Sequence, residues 1–194
     1  MARNKTGLQF YKKRKKINSV IFKEVASYLF IVAASVLMAA MLVMSIGMQT
    51  SVIGVSMEPS LYNGQEVMVN RLVYRIFSPK SGDIVVFLPG GNQNAHYYVK
   101  RVAAVPGDSV SIRDGVLYIN DIPYAEKSLD KIADAGILEN DLILAEDEYF
   151  VIGDNINNSE DSRSGHIGPV KKDAIIGKVW FHLASEDSGL GFVD

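Results

Sequence analysis

Residues 97–120 read Tyr-Tyr-Val-Lys-Arg-Val-Ala-Ala-Val-Pro-Gly-Asp-Ser-Val-Ser-Ile-Arg-Asp-Gly-Val-Leu-Tyr-Ile-Asn. Three runs of β-branched and aromatic residues, 97–105, 109–112 and 116–119, are separated by two turn signals. Pro106-Gly107-Asp108 ends the first run. Arg113-Asp114-Gly115 joins the other two, and Asp-Gly supplies the positive φ of a tight hairpin. Runs of the same kind recur at 66–70, 83–88, 149–152 and 175–181. Pro89 to Asn94 reads as a glycine-rich loop tip, and Asn120-Asp121 as a further turn. The pattern predicts a mostly β domain over residues 49–194, with strands paired across long sequence separations. Residues 125–148 are acidic and mix short apolar patches with turns, which leaves a short helix or an insertion open.

Ahead of this domain lies Ala26 to Met48, which carries no charge over 23 residues. As a helix it spans roughly 35 Å, enough to cross a hydrocarbon core of about 30 Å. It is too long for the apolar part of a secretory signal, about 7–15 residues. The small residues around Ser45-Ile46-Gly47 keep cleavage at its end open. Residues 1–24 hold eight Lys or Arg and one acid, Glu24. The expected layout is a basic cytoplasmic tail (1–24), a transmembrane helix (25–48) and an extracytoplasmic domain (49–194), by the positive-inside rule. The domain has twelve basic and twenty-one acidic residues, a net charge of −9. That balance argues against nucleic acid as a partner and leaves the lipid bilayer as the partner of the N-terminal segment. The chain has no cysteine, which excludes disulfides and thiolate zinc sites.

Three patches carry chemistry. Lys100 is flanked by Tyr97, Tyr98, Val99, Val102, Ala103 and Ala104. Burial among such neighbours lowers an amine's pKa and lets lysine act as a base. On a strand, Lys100 shares a face with Tyr98 and Val102, and Arg101 faces the opposite way. A solvated basic pair on an edge strand remains the alternative. Ser56 lies in Gly54-Val-Ser-Met-Glu-Pro-Ser60, where Pro59 favours a chain bend and Gly54 permits close backbone approach. A serine hydroxyl becomes a nucleophile once a base takes its proton. A plain turn serine is the alternative there. The third patch, Gly153 to Gly165, is dense in turn formers and side-chain hydrogen bonders. Its carboxylates lack the alternation and closing glutamate of an EF-hand, so no metal and no cofactor is expected.

Together the patches resemble the bacterial type I signal (leader) peptidases, in the shorter single-anchor form typical of Gram-positive bacteria. The family's serine box is similar to Ser56-Met57-Glu58-Pro59-Ser60, its lysine box to Tyr98 through Asp108, and its last box to Gly153 through Arg163. The resemblance implies Ser56 as nucleophile and Lys100 as general base. It implies Ser159 as the group that orients the lysine amine, and Asp161 with Arg163 as a supporting ion pair. Arg101 would be structural, and the Ser56 main-chain N–H would form part of an oxyanion hole. Met57, Tyr98 and Val99 would shape the substrate cleft. Three positions depart from the family pattern: Ser60 replaces a threonine, Ile156 an arginine, and Gly54 the serine that some members carry.

The implied substrates are signal-peptide-bearing preproteins, cut after small residues of the Ala-x-Ala kind. An apolar surface drawn from Met57, Leu61, Val67 and Met68 would hold the site at the membrane, with core packing as the alternative for these residues. A non-catalytic relative acting as a chaperone in surface or pilus assembly is the competing class. Such a protein should lack the serine or the lysine, and both are present.

Overall fold

The structure is a computed structural model describing residues 19–91, 96–124, 131–185 and 188–193. It divides into two units, Met1–Val43 and Met44–Asp194. Helix α1 (Ser19–Ile46) runs for 28 residues. Its stretch Ile21–Met41 has a mean hydropathy of 1.9 and is not buried against protein. These 21 residues extend about 32 Å, which matches a bilayer core. The apolar side chains that cover the helix on every side have no protein core to enter, as expected of a membrane span. The helix stops at Ile46, two residues short of the expected end. Gly47 and Met48 instead begin strand β1 (Gly47–Ser51).

The second unit is built from strands. After β1 come β2 (Glu66–Asn70), the short helix α2 (Val73–Ile76), β3 (Ile84–Phe87), β4 (Tyr98–Ala104), β5 (Ser109–Arg113) and β6 (Val116–Ile119). Then follow β7 (Ile122–Pro123), β8 (Leu142–Ile143), β9 (Glu148–Ile152), β10 (Val170–Lys171), β11 (Ile175–His182) and β12 (Gly191–Phe192). An eight-stranded sheet has the order β1-β2-β11-β3-β4-β9-β10, with β12 added to β11. A four-stranded sheet has the order β7-β6-β5-β8. Asp114 and Gly115 both take positive φ in the turn between β5 and β6, the hairpin that Asp-Gly predicts.

All seven runs read from the sequence form strands, within a residue or two at their ends. The strands that pattern reading omits are short or sit at edges. β7, β8, β10 and β12 are two residues each, too short for any periodicity. In residues 125–148, the described part from 131 holds a 3-10 turn (Gly136–Glu139) and β8.

β3, β4 and β9 are buried on both faces, which explains why β3 reads as a continuous apolar run and why apolar residues flank Lys100-Arg101 in β4 on both sides. Ile84, Val86 and Val99 pack with Val52, Met57, Leu61, Val67, Val69 and Val179. Val85, Phe87 and Val102 pack with Tyr149, Val151 and Ile175 in a second cluster. Phe150 and Ile152 join Val110, Leu117, Ile132, Leu138 and Leu144 in a third, which ties the small sheet to the large one. Met57, Leu61 and Val67 are therefore core residues and form no apolar surface, and Met68 is half-buried. The exposed apolar residues beside the serine segment are Ile53 and Val55.

Phe150→Ala, at the junction of the two sheets, should cost about 3–5 kcal/mol of stability. A lowered denaturant midpoint with unchanged m-value, measured in detergent, checks this.

Candidate active site

Two elements meet to place the serine beside the lysine. Ser56 stands in the loop between β1 and β2. That loop is pinned from both sides: Val52 N–H donates to the Gln65 carbonyl, and Gly64 N–H to the Val52 carbonyl. Leu61 N–H donates to the Met57 carbonyl, closing a single turn whose apolar side chains, Met57 and Leu61, enter the core. These anchors fix the direction of Ser56. Gly54 has φ +83°, and its N–H donates to Asn63 Oδ1 at 2.8 Å. A serine at this position would be strained in this chain, which accounts for the glycine.

Lys100 lies in β4, opposite Val85 of β3 and next to Arg101, which pairs with Ile152 of β9. It is a central-strand residue and only 3% exposed. Its Nζ donates to Ser56 Oγ at 2.5 Å and lies 5.8 Å from the centre of the Tyr98 ring. Burial pushes the amine down to about 8. The charges of Asp161 and Glu160 pull it back up, that of Arg163 assists the lowering, and that of Asp154 again opposes it. Desolvation dominates because it penalises the ammonium directly, whereas the carboxylates act at longer range.

Arg101 does not face solvent, as strand alternation suggests. It is buried, with its Nε donating to Asp154 Oδ1 at 2.9 Å and a terminal nitrogen to Asp154 Oδ2 at 2.8 Å. The remaining donors reach the Gly82 carbonyl at 2.9 Å and Ser60 Oγ at 3.3 Å. Ser60 thus ties the end of the serine segment to the residue after the lysine. The large sheet is covered on both sides here, so alternation selects between two buried environments rather than between core and water.

The loop from Gly153 to Arg163 closes the site. Asp161 is fully buried and accepts from Arg163 Nε at 2.8 Å, a second guanidinium nitrogen at 2.9 Å, and Gly153 N–H at 3.2 Å. Arg163 also donates to the Ile156 and Ser159 carbonyls. Ser162 exchanges two bonds with the main chain of Val151, each 3.0 Å. The loop grips the Ser56 segment through its backbone: Asn155 N–H donates to the Ser56 carbonyl at 3.0 Å, and Asn155 Nδ2 to the Val55 carbonyl at 3.2 Å. Gly153 is the point of closest approach. A Cβ there would lie 2.3 Å from Ser159 Oγ and 2.5 Å from the Ser56 carbonyl. Asp154, Asn155 and Gly153 received no individual role from the sequence. The dense polar loop marked their neighbourhood, but not the backbone atoms they reach.

The other expected site residues divide. Tyr98 is half-buried beside the amine, and its hydroxyl donates to Glu160 Oε2 at 3.3 Å. Met57 and Val99, expected at the cleft, have their side chains in the core cluster behind the serine. Ser159 Oγ is buried and has no hydrogen-bond partner among the described residues, so its expected bond to Lys100 is not formed. The Ser56 N–H is taken up by no hydrogen bond among the described residues. Residues 131–139 brace the loop: Asn157 bonds Ala133 N–H and the Lys131 carbonyl, each at 3.0 Å, and Ile137 N–H donates to the Arg163 carbonyl at 2.9 Å.

A family model described as "Signal peptidase, peptidase S26" matches residues 23–184, which include every residue of this site. The chain belongs to the signal peptidase family. It is accordingly a serine endopeptidase, and the activity of the family is signal peptide cleavage. The chain is 37% identical over 136 residues to signal peptidase I of Bacillus licheniformis, covering 66% of this chain and 72% of that one. It is 38% identical over 132 residues to signal peptidase I T of Bacillus subtilis (64% and 67% covered). It is 34% identical over 148 residues to signal peptidase IB of Staphylococcus aureus (67% and 74% covered). A crystal structure of a signal peptidase I from Enterococcus faecalis V583 is 30% identical, with a TM-score of 0.41, and covers 53% of this chain and 97% of that one.

Asp161→Asn removes the counter-charge of a buried guanidinium. It should destabilise the domain by about 3–5 kcal/mol, read as a lowered denaturant midpoint.

Proposed function

We propose that this signal peptidase works through a Ser56/Lys100 dyad, cutting exported preproteins after Ala-x-Ala-type sequences at the outer face of the membrane. The observation that carries the reading is the 2.5 Å contact between the lysine amine and the serine hydroxyl in a site shielded from water. In the neutral amine, the nitrogen lone pair accepts the Ser56 proton as Oγ attacks the scissile carbonyl carbon. The oxyanion that forms is met by the free Ser56 N–H. The ammonium then gives its proton to the leaving amine as the C–N bond breaks, leaving an acyl-enzyme. Lys100 next takes a proton from water as its oxygen attacks the ester, and the ammonium returns that proton to Oγ as the C–O bond breaks, which frees Ser56 and the new C-terminal carboxyl.

Ser159 has a buried hydroxyl beside Gly153, and we assign it to hold the ammonium once the proton has transferred. Its lack of a partner in the resting site supports that role, because a buried hydroxyl without a bond costs free energy. Asp161 and Arg163 shape the loop, and Tyr98 lines the approach to the amine. Helix α1 anchors the chain, and the basic residues before it set residues 1–24 in the cytoplasm with the catalytic unit outside.

The experiment is cleavage of a fluorogenic Ala-x-Ala peptide by the full chain in detergent. Ser56→Ala and Lys100→Ala should each lose on the order of 10³-fold or more in kcat/KM with folding intact. Activity that survives Lys100→Ala overturns the dyad. A folded wild-type chain inert on several precursors favours the chaperone class.

The pH profile follows from the amine. Only neutral Lys100 accepts a proton, so kcat/KM should rise with pH through a midpoint near 8. The exposed Glu160 charge holds that midpoint up, so Glu160→Gln should move it to lower pH. A pH–rate profile of the two proteins tests this.

A further inference from the structure

The domain is acidic overall, yet residues 67–82 hold three basic residues, Arg71, Arg75 and Lys80, and no acid. All three are exposed. Among the described residues, neither the Arg71 nor the Arg75 guanidinium makes an ion pair or hydrogen bond. The same segment displays large apolar side chains: Ile76 is 68% exposed, Phe77 62% and Leu72 38%. The arrangement is built rather than loose. Asn70 Oδ1 accepts from Leu72 N–H at 3.0 Å and Val73 N–H at 3.2 Å, starting the single turn of α2. Tyr74 points inward and donates to Asp83 Oδ2 at 2.9 Å, which turns its neighbours outward. Arg71 and Arg75 also line a cleft of about 510 Å³ with Lys172, opposite Asp147 and Asp173, which leaves the cleft net positive by one charge.

The position of this segment along the chain matters. Asn70 pairs in register with Gly47, the first residue of β1. Gly47 follows the end of the apolar stretch Ile21–Met41 by only six residues. Six extended residues reach about 20 Å at most. Covalent reach alone therefore keeps the segment after Asn70 near any bilayer that the apolar stretch occupies. Exposed arginines interleaved with exposed Ile and Phe suit a bilayer interface, where the guanidinium finds phosphate and the apolar side chain finds the acyl boundary.

We propose that Arg71–Lys80 is a docking surface for anionic lipid headgroups, with Arg71 and Arg75 on the phosphates and Ile76 and Phe77 in the acyl boundary. This rests on the reading of α1 as a membrane anchor. It adds a second, lipid-selective contact that ties the catalytic unit to the membrane.

Because the chain has no cysteine, Phe77→Cys offers a unique labelling site. The full chain, labelled there with bimane, is placed in nanodiscs of phosphatidylcholine alone or mixed equally with phosphatidylglycerol. Quenching by nitroxide-labelled lipid is read in each. Ile122→Cys, on an exposed strand of the small sheet, is the control site. Quenching at position 77 should be about threefold or more stronger with phosphatidylglycerol, and should weaken as salt is raised. Arg71→Glu with Arg75→Glu should return it to the phosphatidylcholine level, and the paired Gln variants should do the same if the Glu pair misfolds. Equal quenching in both lipids, or no more than at position 122, overturns the proposal. So does a bimane shift that depends on protein concentration in detergent, which marks a second copy as the occupant. Co-elution of the chain with nanodiscs tests the anchor separately. Co-elution without quenching overturns the docking alone, and loss of co-elution overturns the anchor reading as well.

Discussion

The site depends on removing one amine from water. Lys100 sits in the middle of a sheet that is covered on both faces, and among the described residues the only direct polar partner of its amine is the Ser56 hydroxyl. A solvated lysine near neutral pH is almost wholly protonated and has no lone pair to offer. An amine brought down to about 8 is neutral in about one molecule in ten at pH 7. The cost of desolvating the ammonium thus frees the lone pair of the amine near neutral pH, and it requires the complete β framework around it. No short peptide containing residues 97–108 could reproduce it.

Burying basic residues is tolerated here because the others are compensated. Arg101 and Arg163 are each held by a carboxylate in the loop that follows β9, through two bonds apiece. Isolated buried charges cost several kcal/mol, whereas paired and hydrogen-bonded ones come close to break-even. Asp154 therefore fixes the loop against the lysine strand, and Asp161 holds the loop to itself, without adding much net stability. Among the described buried basic residues of the site, Lys100 is the one without a carboxylate in contact. The difference between Lys100 and Arg101, adjacent in sequence, lies in their partners.

The same loop carries the backbone contacts that hold the Ser56 segment. Asn155 holds the carbonyls of Val55 and Ser56, while Gly153 lets the two chains approach more closely than a Cβ would allow. Behind the loop, Gly136 with φ +56° packs against the Arg163 carbonyl, where a side chain would collide at 2.1 Å. In the acidic segment with no clear pattern in the sequence, the described residues 131–139 brace the loop at 153–163. Its contacts are made by main chain and by Asn157, groups that leave no periodic trace.

Local composition by itself determined the longer strands and the apolar helix. Runs such as 66–70 and 175–181 are short, β-branched and bounded by turn formers, so chain stereochemistry and burial agree on the outcome. The uncharged stretch at 26–48 has no alternative to an apolar environment, although its last two residues joined a strand because Gly47 and Met48 found partners in Asn70 and Val69. The three motifs also marked Ser56, Lys100 and the loop at 153–163. Tertiary structure alone decided what each of these side chains faces. Met57, Leu61 and Val67 went into the core instead of the surface, Arg101 was buried beside Asp154, and Ser159 was left without a bond. Sequence alternation says which side of a strand a residue takes, but only the packing of other elements decides what lies on that side.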